Sequence, residues 1–151
     1  MRLIAAFFAL LMSAGVAFAQ TSAPDGWVIK TSPHSVDDTV EKLTTAIEKA
    51  GATVFAVVDH SGGAANVGLE LAPTKLVIFG NPKIGTPIMQ GNIHAGIDLP
   101  VRILVFEDQR ETRIGYLKPS ALKARYQIAG ADASLDRMTG ALDKLTDAAR
   151  K

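Results

Sequence analysis

The chain is 151 residues long, carries 16 Lys and Arg against 15 Asp and Glu, and has no cysteine. A near-neutral balance without a basic block argues against nucleic acid as a partner. The missing cysteines rule out Cys nucleophiles, Cys-ligated zinc, iron–sulfur clusters and covalently attached c-type haem, and leave the core alone to hold the fold.

Residues 1–19, MRLIAAFFALLMSAGVAFA, have the form of a secretory signal peptide. Arg2 is the positive n-region, Leu3–Met12 the apolar h-region, and Ala17-Phe18-Ala19 an A-x-A cleavage site before Gln20. Ser13 and Gly15 break the apolar run, no basic stop-transfer flank follows, and no Cys is present for a lipid anchor. The expected product is a periplasmic protein cleaved near Ala19, a single domain over 26–150, of a size that buries roughly two thirds of its unfolded surface. Removing Arg2 leaves 15 basic against 15 acidic side chains. No later apolar run approaches the roughly 20 residues of a transmembrane helix.

Trp27–Thr31 has strand composition and ends at Ser32-Pro33-His34. Ser35 with Asp38 forms a capping-box-like start, and Val36, Val40, Leu43, Ile47 and Ala50 give one apolar helical stripe closed by Gly51. Thr53–Asp59 is apolar or β-branched at nearly every position, which predicts a central strand covered on both faces. His60 then opens a loop with one helical turn at Ala64–Val67, closed by Gly68, and Leu69-Glu70-Leu71 is a short link. Lys75–Phe79 is the next strand. Val101–Glu107 and Thr112–Leu117 flank Asp108-Gln109-Arg110-Glu111 as a hairpin. Lys118-Pro119-Ser120 opens a short helix over Ala121–Ile128. Ser134 is expected to cap a last helix to about Arg150, with Leu135, Met138, Leu142, Leu145 and Ala149 as its stripe. Gly140 inside that helix costs about 1 kcal/mol against Ala, which points to close packing on the sheet. The element order predicts an α+β fold: a largely antiparallel sheet with helices packed on one face.

The chemistry concentrates in Thr74–Pro100, an apolar strand feeding a loop ordered by Gly and Pro. Gly80–Thr86 is not a phosphate loop, because Thr86 and Pro87 stand where G-x-x-x-x-G-K-[S/T] needs Lys and Ser or Thr. Thr86 as N-cap with Pro87 at N1 instead predicts a helix start whose free N–H groups would attract an anion. His60 follows a strand and adjoins Asp59 and Ser61, but triads assemble in space rather than from neighbours in sequence, and there is no G-x-S-x-G elbow. It stands as a candidate general base or ligand. His34, His60 and His94 lack zinc or copper spacing, so no metal is expected and the cofactor is unknown. His60 with Met89 remains the one pair with the chemistry for soft copper or haem iron. Asp59 and Asp98 end apolar stretches; burial there would raise a carboxyl pKa, and the alternative is that each bonds nearby backbone N–H groups. Trp27, Phe79 and Tyr116 read as core.

The segment VDHSGGAANVGLELAPTKLVIFGNPKIGTPIMQ followed by GIDLPVRILVFED resembles the DUF302 family, a bacterial domain family of unknown function. Asp59-His60, Pro73-Thr74, Phe79-Gly80-Asn81-Pro82, Gly85-Thr86 and Asp98-Leu99-Pro100 carry the resemblance, which runs from Trp27 to about Tyr126. It implies an α+β domain like the TATA-binding-protein fold, β-α-β4-α in outline, in dimeric members, and it implies no catalytic residues. The reading that follows is a non-enzymatic exported homodimer. A small-molecule or anionic ligand is expected near His60, Asn81, Thr86, Met89 and Asp98. A His60-based enzyme or metal or haem protein, and a protein interaction module, are the alternatives.

Overall fold

The computed structural model describes residues 23–151; the signal-peptide reading of residues 1–19 lies outside the described residues. The elements are β1 (Trp27–Ser32), α1 (Val36–Lys49), β2 (Thr53–Asp59), α2 (His60–Asn66), β3 (Thr74–Gly80), α3 (Pro82–Gly91), a 3₁₀ turn (Ile93–Ile97), β4 (Val101–Asp108), β5 (Glu111–Leu117), α4 (Pro119–Tyr126) and α5 (Asp132–Ala148). The five strands form one antiparallel sheet in the order β1-β5-β4-β3-β2. The expected α+β class and β-α-β4-α outline hold, with α2, α3 and α4 as additions in the connections.

Strand alternation decides what each face holds. Val77 pairs with Ile103, Ile103 with Tyr116, and Val105 with Ile114, so these residues point to one face. There they are buried with the stripes of α1 (Val36, Val40, Leu43, Ile47) and α5 (Leu135, Met138, Leu142, Leu145, Ala149) in a single core. The helix stripes read from three- and four-residue spacing are the ones that pack. On the other face Ile29, Leu76, Ile78, Leu104 and Phe106 are only half-buried.

Four local expectations are corrected. β2 is not central: it is the edge strand beside β3, and Phe55, Val57 and Val58 are exposed. The loop after His60 is helical from its first residue, because Asp59 Oδ1 accepts the Gly62 N–H (2.7 Å) and the Ser61 hydroxyl (2.8 Å) and so caps α2; the Gly62-Gly63 pair hid this helix. α5 begins at Asp132 rather than at Ser134, which is buried in its first turn. Gly140 packs closely on nothing, since a Cβ there would meet no atom within 4 Å.

Candidate functional site

The β3–α3 junction is built by Asn81. Its Oδ1 accepts the Lys83 N–H (2.9 Å), its carbonyl accepts the Ile84 (2.9 Å) and Gly85 (3.0 Å) N–H groups, and its Nδ2 donates to the Gly51 carbonyl (3.2 Å). Asn81 therefore caps α3 and ties it to the end of α1. The helix start expected at Thr86-Pro87 is not formed. Asn81-Pro82 carries the same cap–proline signature five residues earlier, and Thr86 and Pro87 lie inside α3. The free N–H groups that would have received an anion are consumed by Asn81.

Beside this junction is a cavity of about 310 Å³. Its walls are Phe55 from β2, Phe79 from β3, Ile84 and Met89 from α3, Leu99 and Pro100 before β4, and Met138, Ala141, Leu142 and Leu145 from α5. Asn81 and Thr86 are its polar lining. Three of the five residues expected at a ligand site, Asn81, Thr86 and Met89, thus share one cavity. The α5 residues escaped the sequence reading because a helical stripe signals only that it faces the core, not that the core opens there.

His60 does not join them. Thr53 pairs with Gly80 and Asp59 with Lys75, so Asn81 and His60 follow opposite ends of the β2–β3 ladder, roughly 20 Å apart at about 3.3 Å per residue. His60 is exposed at the start of α2. The same separation removes the His60–Met89 ligand pair and any orienting bond from Asp98 to His60. Asp59 is directed to Gly62, Ser61 and, at 3.6 Å, Lys75. Its carboxyl is held below the usual range by the Gly62 N–H and the Ser61 hydroxyl, with Lys75 adding to them. Among the described residues, no three His, Cys, Asp or Glu side chains gather as a metal site requires.

Asp98 lines a second cavity, of about 340 Å³, which shares Leu99, Val101, Met138 and Leu142 with the first. Its Oδ2 accepts from the Tyr126 hydroxyl (2.7 Å) and Arg125 Nη1 (2.8 Å), and its Oδ1 pairs with Arg102. Burial pushes this carboxyl upward, but the Tyr126 hydroxyl and then the two guanidiniums outweigh it and hold it below the usual range. Both carboxylates that end apolar stretches, Asp59 and Asp98, are therefore depressed, not raised. Asp59 bonds backbone as one reading expected; Asp98 instead joins three side chains. Arg102 and Arg125 gave no motif, since α4 brings Arg125 to Asp98 only in the folded chain. Tyr116 also borders this cavity, with its hydroxyl donating to Asp143 (2.8 Å); burial and that carboxylate raise its pKa.

The fold and its cavities define an α+β domain with an apolar chamber at one end of an antiparallel sheet. A family model described as "Domain of unknown function DUF302" matches residues 28–145, and the chain belongs to that family. The crystal structure of an uncharacterized conserved DUF302 protein from Bacillus stearothermophilus superposes with a TM-score of 0.76 at 19% identity, over 84% of this chain and 100% of that one, which shows the shared fold. Fluoride-specific ion channel FluC 1 of Brucella suis biovar 1 (strain 1330) is 47% identical over 83 residues, 55% of this chain and 33% of the channel protein. FluC 1 of Brucella abortus biovar 1 (strain 9-941) is 47% identical over the same length, 31% of its own chain. The match spans about a third of these curated relatives.

Proposed function

We propose that this domain is a non-catalytic binding module, working as a homodimer, that holds a small, neutral, apolar molecule in the cavity beside Asn81. The carrying observation is the cavity itself: about 310 Å³, walled by apolar side chains, at the lower end of ligand-pocket sizes. Asn81 spends its side chain on Lys83 and Gly51 and its carbonyl on Ile84 and Gly85, so no free backbone donor at the α3 start is left to favour an anion. Among the described residues, the cavity lining carries no charged side chain.

The homodimer is supported by β2. Phe55, Val57 and Val58 are 58%, 44% and 38% exposed on an edge with no Pro or Lys within it. Its one irregularity is a register shift between Val54 and Ala56, which leaves Val57 and Val58 in regular pairing with β3. Phe55 also lines the cavity, so a second copy paired along β2 would cover that wall. The exported, periplasmic address belongs to this proposal and rests on the form of residues 1–19.

The test uses 1-aminoanthracene, a neutral fluorophore. One saturable site per protomer, abolished when Ala141→Phe fills the cavity, is the expected result. Equal binding by wild type and variant would overturn the reading. Light scattering should show a dimer that Val57→Lys converts to monomer.

A second reading has its own observation. The 83 residues shared with the Brucella channels exceed the 22 outside the described region, so most of the match falls where no helix is long and apolar enough to cross a membrane. The similarity then points to a non-spanning part of those proteins and to an accessory role beside an ion channel. Fluoride sensitivity of cells lacking this chain separates the readings: unchanged resistance removes the second.

A further inference from the structure

We propose that the second cavity is a separate binding site for a small monocarboxylate with an apolar tail, its carboxylate on Arg102 and Arg125 and its tail along Trp27. The proposal does not depend on the first cavity being occupied.

Charge is the first argument. The charged side chains lining this cavity are Asp98, Arg102 and Arg125, two cations against one anion. Asp98 satisfies one N–H of each guanidinium and also takes the Tyr126 hydroxyl. A guanidinium carries five N–H donors, so both arginines keep donors for another acceptor. Their side chains are 45% and 55% exposed while that of Asp98 is 13% exposed, so both arginines keep accessible surface at the cavity while the balancing anion is largely covered. The surplus is one positive charge, matched by one carboxylate; a cation meets net repulsion, and a neutral acceptor gains a weaker, single-sided hydrogen bond in place of a bidentate, charge-paired one.

Shape is the second. Beyond the arginines the wall is Trp27, Leu104, Leu117 and Leu122. The Trp27 ring lies directly over Gly115, where a Cβ would stand 3.0 Å from Cζ3 and 3.1 Å from Cε3. The missing Cβ of Gly115 thus lets the indole approach β5 closely, and Trp27 lines the same cavity as the two arginines. A volume of about 340 Å³ suits a short alkyl or single-ring tail.

Trp27 is the only tryptophan in the chain and lines this cavity, so all tryptophan emission arises at its wall. Octanoate, 1-octanol and octylamine are titrated into the purified protein. The expected result is a saturable Trp27 change with octanoate, at least about tenfold weaker binding of the alcohol and the amine, and about tenfold loss in Arg102→Gln/Arg125→Gln. Arg125→Lys, which keeps the charge, should retain most of the affinity. Ala141→Phe should leave octanoate binding intact, so a failure of the first cavity's reading cannot be mistaken for a failure of this one. Octanol binding as well as octanoate, glutamine variants binding as wild type, or no saturable change up to about 10 mM each overturns the proposal. Should the double variant not fold, Arg125→Gln alone, altered at a half-exposed side chain, is held to the same criterion.

Discussion

Asp98→Asn tests whether the carboxylate that joins Tyr126, Arg125 and Arg102 stabilises the fold by its charge. A hydrogen bond from a hydroxyl to a carboxylate contributes roughly 1.5–3 kcal/mol. The two guanidiniums are about half exposed, so solvent screening leaves them a small share of the effect. Asparagine keeps the shape and one acceptor oxygen, which reduces the expected loss to roughly 1–2 kcal/mol at pH 7. For a domain of about 130 residues, unfolding entropy converts this to a Tm lower by roughly 4–8 °C. The pH dependence carries the sharper prediction. The folded-state pKa of Asp98 is depressed, so its stabilisation is complete above the unfolded carboxyl value of about 3.9 and is lost as pH falls through the lower folded value. Thermal melts followed by circular dichroism from pH 7 to about pH 2.5 should show the gap between wild type and variant closing below about pH 4. A variant melting within about 1 °C of wild type at pH 7, or a gap undiminished at the acid end, would refute this account of the charge.

Asn81→Ala removes the α3 cap and the tie to Gly51, and urea titration should show a loss of about 1–2 kcal/mol; Asn81→Asp keeps the cap but not the donor and should fall between. Two glycine variants are expected to move in opposite directions in the same assay. Gly91→Ala would set a Cβ 2.6 Å from the Ala129 carbonyl oxygen and 2.9 Å from Ile128 Cγ2, and should destabilise by about 1–3 kcal/mol. Gly140→Ala meets nothing within 4 Å and should gain up to about 1 kcal/mol from helix propensity.

The helices of the core were legible because their signal is a spacing. Val36, Val40, Leu43 and Ile47 can share a face only in a helix, and the same holds for Leu135, Met138, Leu142 and Leu145. The hairpin was legible for a similar reason, two β-rich runs with a short polar connection. The start of α3 was not, since Asn81-Pro82 and Thr86-Pro87 are both good cap–proline pairs and composition does not rank them. The tie from Asn81 to Gly51 ranks them, and it crosses 30 residues of sequence. The same limit explains the candidate site. His60 and Asn81 end adjoining segments of sequence that look alike as strand-end loops, but antiparallel pairing sends the two loops to opposite ends of the sheet. Asp98 was found for a poor reason, as a polar residue ending an apolar run. Of the partners that define its chemistry, Arg102 is only four residues on but forms no recognised motif, and Arg125 is 27 residues away and left no local trace.

β2 shows a failure of another kind. A run such as TVFAVVD predicts a strand that loses both faces to burial, and in one copy of this chain it keeps them exposed at the sheet edge. The composition and the position conflict. A seven-residue edge carrying Phe55, Val57 and Val58 has no charge or proline on the strand interior to blunt pairing with another strand. One reconciliation is that the sequence encodes burial in an assembly rather than in the monomer. The cost of Val57→Lys separates the cases: at an edge that remains solvated the substitution is near neutral, within about 0.5 kcal/mol. At an edge covered by a second copy it buries a charge and dissociates the pair, so Tm should fall and lose its dependence on protein concentration together.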